Sequence, residues 1–231
     1  MPWQTIFKTL SASDGGVLDG LGRAIRSALG LGSGNGVDRA AFTAAVVALS
    51  AKLAKSDGIT LKIEQETFER LFSFDAEEAA NVRWLFDLAA QDVAGFEAYA
   101  RTVSRSLADR PELKRDVYEA LLHIASADGV MHQGEDRFLL TVAEIFGYSP
   151  HEHRALRALF VRDEADPYTV LGLTRGMTGE ALKARYRELM RENHPDVLAG
   201  KGFSTDMQGI AQRKVATINV AWDEIARERG L

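Results

Sequence analysis

From Asp38 onward the apolar positions recur at helical spacing. Phe42, Val46, Leu49 and Leu53 fall at i, i+4, i+7 and i+11, and the run stops at Asp57-Gly58, where glycine can take the left-handed position that ends a helix. The same logic predicts a helix from Lys62 to Phe72 with Ile63, Phe68 and Leu71 inward. A third helix is opened by Asp75 with Glu78 in a capping box and buries Val82, Leu85, Phe86 and Ala89. A fourth, capped by Asp92, carries Phe96, Tyr99, Val103 and Leu107. After Pro111 a fifth carries Leu113, Val117, Leu121 and Ile124 up to Asp128-Gly129. Gly134 to Phe146 makes the sixth, and Ser149-Pro150, with Glu152 placed for a capping box, opens the seventh with Leu156, Leu159 and Phe160 inward. Four of the five prolines, at 111, 150, 167 and 195, stand where helical patterns start or stop, as a missing N–H and a fixed φ require. The fold class is all-α.

Two stretches break this pattern. Residues 1–36 hold eight glycines among the apolar positions Val17, Leu21, Ile25 and Leu29. At about 1 kcal/mol per helical glycine, the expectation is a flexible or interfacial segment. The second break, at 162–165, is short and charged and is expected to link a bundle over 37–161 to a smaller domain over 166–231. There Asp166-Pro167 opens a short helix with Tyr168, Val170 and Leu171. A stripe of Leu182, Tyr186 and Leu189 then faces a last helix carrying Ile210, Val215, Ile218, Ala221, Trp222 and Ile225. That is a helical hairpin with His194-Pro195-Asp196 in its connection.

The bundle contains an internal repeat. KLAKSDGITLKIEQETF and HIASADGVMHQGEDRFL align without a gap at an offset of 71 residues, matching Asp57 with Asp128, Gly58 with Gly129 and Glu64 with Glu135. Two halves related by a pseudo-twofold axis are expected. The four acidic residues Asp57, Glu64, Asp128 and Glu135 can hold a divalent cation if they converge across that axis. The simpler reading is that each Asp-Gly ends a helix and each Glu favours the positive start of the next. No cofactor is expected on that reading.

Composition removes several function classes. No cysteine is present, which excludes disulfides and thiol chemistry and fits a reducing cytoplasm. The net charge of −5 gives no general attraction to nucleic acid. It is carried entirely by residues 1–161, since residues 162–231 hold eleven basic and eleven acidic side chains. No apolar run approaches the roughly 18 residues of a transmembrane helix, although residues 1–33, with Arg23 and Arg26 beside an apolar stripe, can lie on an anionic inner-membrane surface. No nucleophile and base pair or phosphate-binding glycine loop is present, so catalysis is not expected.

The remaining chemistry lies in the hairpin. Pro195 disfavours helical backbone at His194 and stops the helix, leaving His194 and Asp196 on a stiff loop. Lys183, Arg187 and Arg191 at i, i+4 and i+8 form a basic stripe that can steer the hairpin to an acidic surface. DPYTVLGL, LKARYRELMRENHPD and INVAWDEI stand in the order and spacing of a J domain, and residues 166–228 resemble that DnaJ-type module. The resemblance implies contact of His194, Pro195 and Asp196 with a DnaK-type chaperone ATPase, supported by Lys183, Arg187 and Arg191. Asn193 departs from the family pattern, where an aromatic residue often precedes the motif, as does Val197, where Lys often follows it. Residues 38–160 resemble the tellurite-resistance TerB-like family, and the order of the two modules resembles the DjlA type of co-chaperone. That resemblance implies a non-enzymatic co-chaperone whose bundle recruits an unidentified client or sets location. The alternatives are a metal-stress sensor built on the acidic quartet and a peripheral membrane scaffold.

Overall fold

The computed structural model describes residues 37–56, 62–72, 76–161, 166–194 and 205–231, and the side chains of some helix-end residues, Leu71 and Ile210 among them, lie outside the described set. Residues 1–36, Asp57, Gly58, Asp75, the 162–165 linker, Pro195 and Asp196 therefore lie outside it as well. Regular structure among the described residues is entirely helical: α1 Val37–Ala54, α2 Lys62–Phe72, α3 Ala76–Ala89, α4 Phe96–Ser106, α5 Pro111–Ala125, α6 Gln133–Phe146, α7 Pro150–Ala158, α8 Pro167–Val170, α9 Gly179–Glu192 and α10 Thr205–Arg229. They divide into two compact units, split between Gly147 and Tyr148.

The first unit is built around α1. Its periodicity predicts one buried stripe, yet every residue from Ala44 to Ala54 is buried, because the positions between the large residues are alanine, valine, Ser50 and Lys52. A helix apolar on all sides belongs in the middle of a bundle, and α1 packs against α2, α3, α4, α5 and α6. Its two polar side chains are satisfied, as burial demands. Ser50 Oγ donates to the Val46 carbonyl at 2.9 Å, and Lys52 Nζ donates to both the carbonyl and the carboxylate of Asp92 at 3.0 Å.

That last contact corrects the expectation for Asp92. It does not cap α4, which starts at Phe96 after Gly95 at φ 74°, but anchors the preceding loop to the buried lysine. Ile63 is corrected too. It is 38% exposed, and α2 turns Glu64, Thr67 and Phe68 inward instead. The i, i+3, i+4 face was available on either side, and the aromatic pair Phe68–Phe86, with centroids 5.2 Å apart, settles which one is used. In the second half α5 and α6 are joined by Tyr118, whose hydroxyl donates to the Leu139 carbonyl at 3.2 Å, and Phe96 of α4 stacks on Phe138 at 4.0 Å.

The second unit begins ahead of the expected linker at 162–165. A division at 162–165 leaves α7 in the bundle, but Ala158 and Leu159 belong to the same core as Tyr168, Val170, Leu171, Leu182, Leu189, Ile218, Ala221 and Ile225. The repeat explains the contrast. With three residues inserted, Arg83-Trp84-Leu85-Phe86 of α3 answers Arg157-Ala158-Leu159-Phe160, which straddles the end of α7. Leu85 and Phe86 are buried within the first unit, whereas Leu159 and Phe160 pack on the hairpin core of the second. The capping box predicted for α7 forms, Ser149 Oγ accepting from the Glu152 N–H at 3.2 Å and Glu152 Oε2 accepting from the Ser149 N–H at 2.8 Å.

Candidate functional site

In the second unit the short helix α8 is capped by Asp166, whose Oδ2 accepts from the Thr169 N–H at 3.2 Å. The chain then turns at Gly172, φ 66°, a left-handed position that suits glycine. Helix α9 is capped by Thr178, with Oγ1 accepting from the Ala181 N–H at 3.3 Å, and buries Leu182 and Leu189. Tyr186 stacks on Trp222 of α10 with centroids 4.7 Å apart and donates its hydroxyl to Asn219 Oδ1 at 3.0 Å. At the other end of α10, the Arg229 guanidinium donates to the carbonyls of Arg175 at 2.7 Å and Met177 at 3.1 Å, just ahead of α9. The two helices therefore run antiparallel, and the segment carrying residues 194–196 joins the end of α9 to the start of α10.

Arg175 braces this unit in a way the sequence did not signal. It bonds Asp166 at 2.6 Å and Glu228 at 2.8 Å while its guanidinium lies 4.6 Å from the centre of the Tyr168 ring. The Glu228 hydrogen bond, above all, raises its pKa above the ordinary value.

Along α9 the charges sort into used and unused. Arg185 is engaged, donating to Glu188 at 2.6 Å and to the Leu171 carbonyl at 3.3 Å, with Glu192 at 3.9 Å. Lys183 is half-buried, Arg187 and Arg191 are exposed, and none of the three forms an ion pair among the described residues. Their charge is thus available to an incoming acidic surface. His194 is exposed at the end of the same helix, one residue beyond Asn193, which is only 4% exposed. Asn193 donates twice to the Leu189 carbonyl, from its backbone N–H at 3.1 Å and from Nδ2 at 2.8 Å. In the sequence Asn193 stands out only as a departure from a pattern. An asparagine at a helix end before a His-Pro pair was the signal for this cap.

The acidic quartet is spent differently. Asp57 lies outside the described residues. Asp128 is exposed, with Oδ1 accepting from the Val130 N–H at 2.9 Å and Oδ2 3.6 Å from His132 Nε2. Glu135 is 1% exposed, and its Oε2 accepts from the His132 N–H at 2.8 Å in a capping box at the start of α6. Glu64 is buried in the first turn of α2. Gly129 takes φ 91°, but α5 has already ended at Ala125 with Ser126 as its cap, so the Asp-Gly pair shapes the following turn and does not stop the helix. Among the described residues no group of three or more His, Asp or Glu is placed to hold a metal ion. Nor, among them, is any helix long and apolar enough to cross a membrane.

Comparison with known proteins covers both units. The family described as Tellurite resistance protein TerB matches residues 43–158, half of the chain, so the match ends on α7. The chain is similar to Co-chaperone protein DjlA of Photobacterium profundum, 28% identical over 220 residues that make up 83% of this chain and 79% of that relative. It is also similar to the proteins of the same name from Shewanella oneidensis, 34% identical over 138 residues covering 53% of this chain and 52% of the relative, and from Coxiella burnetii, 28% identical over 201 residues covering 78% and 74%. No solved structure matches the chain. With that family matched across half its length and a helical hairpin following, the chain belongs to the tellurite resistance protein TerB family and has the DjlA-type arrangement.

Proposed function

We infer that this chain is a co-chaperone without catalytic activity of its own, which docks on a DnaK-type chaperone and stimulates its ATPase. The observation that carries this reading is the end of α9, where exposed His194 enters the His194-Pro195-Asp196 segment and Arg187 and Arg191 form no ion pair among the described residues. Similarity to proteins named DjlA co-chaperones supports it. The basic stripe attracts the module to an acidic surface and orients it, an effect that salt weakens. The loop then makes the short-range contact with the chaperone. The helical bundle recruits a client or sets location; the alternative is a peripheral membrane scaffold driven by residues 1–33.

The test is the steady-state ATPase rate of a DnaK-type chaperone with the wild-type protein and with His194→Gln. Stimulation by the wild type and its loss in the variant is the expected result. A chaperone unaffected by the wild type ends the proposal, and equal stimulation by the variant moves the activity away from this loop. For the membrane role, flotation with anionic liposomes must depend on residues 1–33.

A further inference from the structure

The angle at which the chain leaves α9 decides where His194 points relative to Arg187 and Arg191. An α-helix turns about 100° and rises about 1.5 Å per residue. A stop one residue early or late therefore rotates the take-off of His194 by more than a quarter turn, and a docking face built on the loop and the basic stripe together loses one when it meets the other. Helix ends fray unless something fixes them. Here the stop is fixed from both sides. Pro195 disfavours helical backbone at His194. On the other side, Asn193 takes φ −104° and ψ 8°, and both its donors close on the carbonyl of Leu189, a residue in the hairpin core.

We propose that Asn193 is the positioning residue of the docking loop: its buried side-chain amide locks the last turn of α9 so that His194 emerges at one fixed angle to Arg187 and Arg191. The proposal rests on the reading of that loop as the chaperone contact. It also gives the departure at this position a meaning. A larger aromatic side chain can anchor the turn by packing, whereas Asn193 anchors it by a hydrogen bond inside the core, where such a bond excludes alternatives because an unmade one is costly. Asn193 does not contact the chaperone in this scheme.

The test separates positioning from mere stability by comparing caps at the two ends of the same helix. Asn193→Ala removes the amide, Asn193→Asp keeps its shape but not its N–H donors, and Thr178→Ala removes the cap at the far end of α9. Each full-length variant is titrated into a DnaK-type chaperone, and the concentration for half-maximal ATPase stimulation is read at a temperature where melting curves show all of them folded. Asn193→Ala and Asn193→Asp are expected to raise that concentration about fivefold, the worth of one ordinary hydrogen bond. Thr178→Ala is expected to leave it unchanged at a comparable loss of melting temperature. Hydrogen exchange in the free protein should show faster exchange at residues 190–194 only in the Asn193 variants.

Asn193 variants that dock like the wild type, while His194→Gln abolishes stimulation, overturn the positioning role and leave the loop reading standing. A Thr178→Ala shift as large as theirs reduces Asn193 to a stability role and overturns the proposal as well. A wild type that stimulates nothing overturns both.

Discussion

Leu159→Ala is the sharpest test of where the second unit begins. Leu159 is 6% exposed and lies in one core with Tyr168, Leu171 and Ile218. Truncating a buried leucine costs about 2–5 kcal/mol, more where the surroundings cannot collapse. A unit running from Tyr148 to Leu231 has a total stability on the order of 4–12 kcal/mol, so the loss is a large fraction of it. At about 4–8 °C per kcal/mol for a unit of this size, its unfolding midpoint should fall by roughly 8–40 °C. Hydrogen exchange followed by peptide mass spectrometry reads the effect locally. Protection should drop across α8, α9 and α10 and much less across α1, α4 and α5. Leu85→Ala, the repeat counterpart in α3, should reverse that pattern. If Leu159→Ala instead weakens α1–α6 first, or costs the hairpin less than about 1 kcal/mol, α7 belongs to the bundle and the boundary returns to 162–165.

Three further outcomes follow from particular side chains. Among the described residues the buried Tyr168 hydroxyl has no hydrogen-bond partner, so Tyr168→Phe should leave stability in a denaturant titration unchanged or raise it by about 1 kcal/mol; a loss of that size would show the hydroxyl is bonded. The hydrogen bond from Lys52 holds the Asp92 carboxyl below the usual carboxylate range. A folded value below the unfolded one means the stabilisation is present above the ordinary carboxylate pKa and is lost as pH falls through the folded value. Lys52→Met should remove that acid sensitivity; an unchanged pH profile of unfolding would contradict it. Because Asp128 and Glu135 are committed to the backbone of one turn, the melting temperature should be the same with Mg²⁺, Ca²⁺ or chelator. A rise of several degrees that Asp128→Ala abolishes would restore the metal-binding reading.

Most helices were legible because their limits are written locally. Ser149, Pro150 and Glu152 cap α7 through atoms within three residues of each other, and Gly147 ends α6 at positive φ. The spacing of Lys183, Arg187 and Arg191 was equally readable, since one helix fixes their relative direction. Two residues misled. Asp92 has the composition of a cap, but its carboxylate is taken by Lys52, forty residues earlier in the chain. Ile63 has the composition of a core residue, but Phe68 decides which face of α2 is buried, and Glu64 goes inward with it.

Sequence alone determined the all-α class, the internal repeat and the hairpin, because periodicity, caps and proline act over a few residues. Only the tertiary structure decided which core α7 joins, that Arg185 is neutralised while Arg187 and Arg191 form no ion pair among the described residues, and that Asn193 is a buried cap rather than a surface polar residue. Those outcomes depend on burial and on partners distant along the chain. Local pattern allows either choice, and packing selects one.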